Sequence, residues 1–150
     1  MLALHACDTA TDEALALGIQ QRASIIMAAP CCHKHLHKQL HTQPPPPGLE
    51  PMLRHGILRQ RFVDMLTDTF RAALLRLMGY EADVVEFVSS EHTPRNLLIR
   101  AVRMRHAARQ AGQERELLQQ YDGLKALWGV TPFLEGPLAL ELQAVRDRCL

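Results

Sequence analysis

The sequence predicts an α/β chain: an open, partly parallel sheet that ends in an antiparallel hairpin and continues into a helical extension. Three observations carry this reading. Leu2-Ala3-Leu4-His5-Ala6-Cys7 is apolar without alternation, the pattern of a parallel strand buried on both faces. Ser24-Ile25-Ile26-Met27-Ala28-Ala29 is a second such run, partly β-branched and stopped by Pro30. Val84 to Val88 and Leu97 to Val102 are short strand-like runs joined by the polar stretch Ser89 to Asn96, as in a hairpin with a long loop.

The elements between follow in order. Thr9-Ala10-Thr11-Asp12 fits a capping box, with an acid three places after a hydroxyl, and leads into a helix over Glu13 to Gln21. Lys34 to His41 is polar and suits a short helix, and Pro44 to Pro47 with Gly48 forms a stiff excursion. From Leu58 to Met78 apolar residues recur at helical spacing, among them Phe62, Leu66, Phe70, Leu74 and Leu77, with Gly79 as the natural C-terminal cap. Ala107 to Trp128 reads mainly as helix. Thr131-Pro132 and Gly136-Pro137 then break the chain before a last helix ending near Arg148.

Composition narrows the class. With 47% apolar and 22% charged residues, a chain of 150 can bury one sizeable core. No apolar run approaches the roughly 20 residues that cross a bilayer, so the expectation is a soluble, cytoplasmic protein without a membrane partner. The net charge is +1, but the seventeen basic residues include only three lysines. Arginine matches phosphate well, and Arg54, Arg59 and Arg61, then Arg95, Arg100, Arg103, Arg105 and Arg109, lie in stretches poor in acids. Such stretches suit a nucleic-acid backbone or, more commonly, a solvated helix face. Adjacent Cys31 and Cys32 make a poor disulfide framework, so reduced thiols are expected.

Two clusters stand where the chemistry of an open α/β sheet is found, beyond the carboxyl ends of its strands: His5-Ala6-Cys7-Asp8 and Pro30-Cys31-Cys32-His33-Lys34. Neighbouring strands would bring both to one rim. His5-Ala6-Cys7-Asp8-Thr9-Ala10-Thr11-Asp12, Pro30-Cys31-Cys32-His33-Lys34 and Thr93-Pro94-Arg95-Asn96 resemble a poorly characterised group of class I S-adenosylmethionine-dependent methyltransferases of bacteria and eukaryotes. The first two motifs are also similar to those of eukaryotic tRNA 2′-O-methyltransferases acting on the acceptor stem, where His-x-Cys-Gly-x-Ala-Thr-Asp precedes Cys-Cys-His. Here Asp8 replaces that glycine, and Lys34 stands where the tRNA enzymes tend to have another histidine. The resemblance spans roughly residues 2 to 105.

The resemblance implies the C-terminal half of a Rossmann-like methyltransferase sheet, strands four to seven with a terminal antiparallel hairpin. Residues 1–105 would form this partial domain and 106–150 a helical extension packed on it. The family's glycine-rich donor loop and ribose-binding acid precede strand four, and neither motif occurs in the sequence. The chain is therefore expected to be a fragment, inactive alone, whose complete form uses S-adenosylmethionine on RNA or protein. His5, Ala6 and Cys7 would wall the donor pocket, and Cys31, Cys32, Lys34, Arg95 and Asn96 would face the acceptor.

Methyl transfer from a sulfonium needs an aligned acceptor and removal of the acceptor's proton. His33 or His5 would be the base, with Asp8 or Asp12 orienting the imidazole. As packing residues, Cys31 and Cys32 would be small core side chains rather than nucleophiles. The tract Cys31, Cys32, His33, His35 and His37 lacks the separated ligand pairs of a structural zinc site, so no metal is assigned. The alternatives are a non-catalytic half-sheet module that docks on a partner or self-associates through its open edge, and a Cys/His metal-binding protein.

Overall fold

The computed structural model describes residues 1–4, 6–89, 96–104 and 111–150. In chain order the elements are β1 (Leu2–Leu4), α1 (Thr9–Gln20), β2 (Ile25–Ala29), α2 (Lys34–Thr42), α3 (Glu50–Leu53), α4 (Gly56–Leu77), β3 (Tyr80–Glu86), β4 (Leu97–Arg103), α5 (Ala111–Trp128), a 3-10 turn (Phe133–Glu135) and α6 (Ala139–Cys149). The four strands form one mixed sheet in the order β1-β2-β4-β3. β1 runs parallel to β2, and β4 runs antiparallel to both β2 and β3. The α/β class, the parallel first pair and the antiparallel hairpin all match the sequence expectation.

Several boundaries and one burial pattern differ. β1 is shorter than the apolar run and stands at the sheet's edge, so Leu2 and Leu4 are 61% and 57% exposed instead of buried on both faces. An apolar run cannot say whether its second face will be covered. α1 begins at Thr9, four residues before the expected start, and Asp12 makes no cap. β3 begins at Tyr80 instead of Val84 because Gly79, at φ 89°, turns the chain straight out of α4. Tyr80 and Ala82 then point inward at alternate positions. Much of the hairpin's connecting loop, and the expected start of α5, lie outside the described residues.

One core joins the sheet to the helices. Leu15 and Ile19 of α1, Ile26 and Ala28 of β2, Ile99 and Ala101 of β4 and the inner face of α4 pack with residues of the C-terminal helices. Phe70 of α4 meets Tyr121 of α5 edge-on at 5.7 Å, and Phe62 lies 4.6 Å from Trp128. Gln39 of α2 exchanges two hydrogen bonds with the backbone of Thr131, donating at 2.8 Å and accepting at 2.8 Å. The polar residues buried in this core surround the carboxyl ends of β1 and β2.

Candidate functional site

The chain leaves β1 through Ala6 and Cys7 and leaves β2 through Pro30 and Cys31. The register pairs Leu2 with Met27 and Leu4 with Ala29, and the same count continued past the strand ends sets Cys7 level with Cys32. The two motifs therefore meet on one rim, as parallel neighbours require. Cys7 Sγ lies 3.3 Å from Cys31 Sγ and 3.7 Å from Cys32 Sγ, and the Cys31 and Cys32 sulfurs are 3.8 Å apart. Cys7 is exposed and the other two are half-buried, so none is the enclosed core residue that packing alone would make of it. Burial and the neighbouring sulfurs push the Cys31 thiol up to about 11, which leaves it protonated and a poor nucleophile at neutral pH.

Asp8 forms the corner between β1 and α1. Its φ of 53° and ψ of −120°, with the Ala10 N–H donating to the Cys7 carbonyl at 3.1 Å, describe a type II′ turn with Asp8 at the first central position. Glycine favours that position. Asp8 is held in the costly conformation by two bonds. Its carbonyl accepts from Arg71 Nη2 at 2.8 Å, and its carboxylate accepts from the His35 N–H at 2.9 Å, supplying the first turn of α2 with a cap from a distant segment. Thr11 steadies the same corner by donating to the Ala6 carbonyl at 2.6 Å.

Beneath the rim lies a buried charge network that sequence reasoning missed. Arg71 of α4 is 1% exposed. Its Nε and Nη2 donate to the two carboxylate oxygens of Asp12 at 2.8 and 2.9 Å, and its Nη1 donates to Asp68 at 3.0 Å. Asp68 in turn accepts from His33 Nε2 at 3.0 and 3.1 Å. On the other side of the ring, His33 Nδ1 lies 3.2 Å from Asp64 outside hydrogen-bonding geometry, with His37 Nε2 3.9 Å from the same carboxylate.

Neither expected orienting acid serves His33, because Asp8 caps α2 and Asp12 is taken by Arg71. The orienting acids are Asp64 and Asp68, one helical turn apart on α4. Their spacing with Arg71, at i, i+4 and i+7, was the available signal: a charged stripe beside the apolar face of Val63, Leu66 and Phe70.

The electrostatics follow from this arrangement. Burial works against the charged form of His33, but the Asp64 and Asp68 carboxylates outweigh it and raise the imidazole from 6.5 to about 9. His33 therefore carries its proton at neutral pH. For Asp64, burial acts upward, yet the His33 imidazolium 3.2 Å away brings the carboxyl below its ordinary value.

Of the remaining expected site residues, Lys34 is exposed at the first position of α2. Asn96 is buried at the same end of the sheet, where its side chain donates to Glu86 and to the Val88 carbonyl and closes the base of the hairpin. His5 and Arg95 lie outside the described residues. Among the rim carboxylates, Asp12 has both oxygens held by Arg71, whereas Asp8 has one oxygen on the His35 N–H and is the acid with an oxygen free of a protein partner among the described residues.

No helix among the described residues is long and apolar enough to cross a membrane. No curated protein and no solved structure matches the chain. A family model described as a methyltransferase domain, Methyltransf_32, matches residues 1–39, the segment that holds β1, α1, β2, both cysteine motifs and most of α2.

Proposed function

We propose that this chain supplies the acceptor-facing part of an S-adenosylmethionine-dependent methyltransferase with RNA as its substrate class. The observation that carries the reading is the methyltransferase-domain match over residues 1–39, whose two motifs converge on one rim of the sheet. The strand order β1-β2-β4-β3, with an antiparallel strand inserted beside β2, supports reading these strands as the fourth to seventh of a Rossmann-like methyltransferase sheet. The donor would be held largely by groups other than the described residues, so no step is assigned to it.

What this chain's residues contribute is position. The Asp8 turn fixes where the Cys7 corner ends, and Asp8 ties that corner to α2. Lys34, exposed at the start of α2, suits a phosphate of the acceptor. His33, protonated between Asp64 and Asp68, holds α2 against α4. For His33 to take an acceptor proton, it would first have to give up its own, either at alkaline pH or by leaving the two carboxylates.

The test compares methylated nucleosides and methylated amino acids, by mass spectrometry, in cells with and without the gene. A methyl mark in RNA that vanishes with the gene and returns on complementation supports the proposal. A mark lost only from protein would keep methyl transfer and replace the substrate. No lost mark in either pool would sink it in favour of a non-catalytic module. That second reading is favoured by one observation: β1 is an edge strand that exposes Leu2 and Leu4, a surface a partner strand or a second copy could cover.

A further inference from the structure

We propose that Cys7, Cys31 and Cys32 form a three-thiolate site for a single zinc ion, with a fourth coordination position open to solvent. The inference does not depend on the methyl-transfer reading. It rests on three sulfurs drawn from two separate chain segments, 24 residues apart, whose mutual distances are 3.3, 3.7 and 3.8 Å. A zinc–sulfur bond of about 2.3 Å in tetrahedral geometry sets neighbouring sulfurs about 3.8 Å apart. Two edges of the triangle already have that length, and closing the site asks only that the Cys7–Cys31 edge open by ~0.5 Å.

Packing does not account for the cluster. Thiols gathered to fill a core are enclosed, whereas here Cys7 is exposed and Cys31 and Cys32 are half-buried on a rim that solvent reaches. The three sulfur atoms lie close enough together to ligate one ion. Linear spacing hides the site, because its third ligand belongs to a different strand and no C-x₂₋₄-C pair exists. Parallel pairing of β1 with β2 creates it.

Charge also suits the site. A zinc ion with three thiolates carries one net negative charge, and Cys32 stands two residues before the first turn of α2, whose dipole favours an anion. Binding is an exchange without redox change: three S–H protons pass to the buffer as three Zn–S bonds form. Three protein ligands with one open position is the pattern of zinc that binds or activates a fourth ligand, in contrast to the closed four-ligand structural type.

The test uses the full 150-residue chain, reduced and then freed of reductant without air. Cobalt(II) should bind at one equivalent with thiolate-to-metal charge-transfer absorption, and zinc should displace it with a Kd below about 1 μM. Cys7→Ser and Cys31→Ser should each weaken binding by about 100-fold or more, past the loss seen when only an outer-sphere partner is removed. Cys149→Ser, on α6, should leave it unchanged. As a check that does not require variants to fold, zinc should protect Cys7, Cys31 and Cys32 from alkylation while Cys149 stays reactive. The lack of a charge-transfer band, or equal alkylation with and without zinc, would overturn the proposal.

Discussion

Arg71 and Asp12, 59 residues apart in the chain, meet in a two-pronged ion pair closed to solvent, with Nε–Oδ1 at 2.8 Å and Nη2–Oδ2 at 2.9 Å. The pair pins α4 to the first turns of α1 directly beneath the cysteine rim. Breaking one side of such a pair leaves a buried charge without its partner, which typically costs about 3–5 kcal/mol. Arg71→Met should therefore lower stability by about that amount in urea unfolding, and Asp12→Asn by a similar amount. The double variant should lose less than the sum of the two, since both changes remove the same interaction.

Asp8 yields an ordering as well as a magnitude. Alanine in its place keeps the unfavourable positive φ and loses the α2 cap, for a loss of about 1–3 kcal/mol. Glycine loses the same cap but relieves the backbone. Asp8→Gly should be more stable than Asp8→Ala by about 1 kcal/mol, read from denaturation midpoints. Equal midpoints would mean that the turn carries no strain.

The sign of the pH dependence at His33 follows from its raised value. A group whose folded-state pKa lies above its unfolded value contributes stability that is complete below about 6.5 and disappears as pH climbs through about 9. The wild-type chain, with chelator present, should thus lose urea resistance between those limits relative to His33→Gln. Asp64 acts in the opposite direction: its value is lowered, so its contribution is present at neutral pH and lost in acid. A His33→Gln curve parallel to wild type from pH 6 to 10 would contradict the clamp.

Donor binding by the chain alone should be weak. With no glycine-rich donor loop in the sequence and both oxygens of Asp12 held by Arg71, calorimetry with S-adenosylmethionine should find a Kd weaker than about 1 mM, and a sub-micromolar value would require a donor site built from other residues.

How much of this could be read in advance depended on the range of the interaction. The apolar runs at Leu2 and Ile25 signal strands because burial leaves its mark on consecutive residues, and Gly79 signals the end of α4 because its backbone conformation is a local need. Asp12 misled for the same local reason. Thr9 and Asp12 have capping-box spacing, but the acid's partner is Arg71, which no window around Asp12 contains. His33 stands out in the sequence through its motif, while its partners on α4 become recognisable only once α2 and α4 are side by side. The three-sulfur cluster was hidden likewise, since strand pairing is what adds Cys7 to the adjacent Cys31 and Cys32.

The pairing of β1 with β2 also makes the rim unusually intolerant of length changes. Each strand residue advances the chain by about 3.3 Å and reverses its facing. Deleting one residue from Leu2–Leu4, or inserting one in Ile25–Ala29, would shift one sulfur a full rung and turn it to the other side of the sheet. Substitutions along these strands can be absorbed by repacking, but a frame of one residue cannot. Among descendants of this sequence, the count from Leu2 to Cys7 and from Met27 to Cys32 should therefore vary less than the side chains between them.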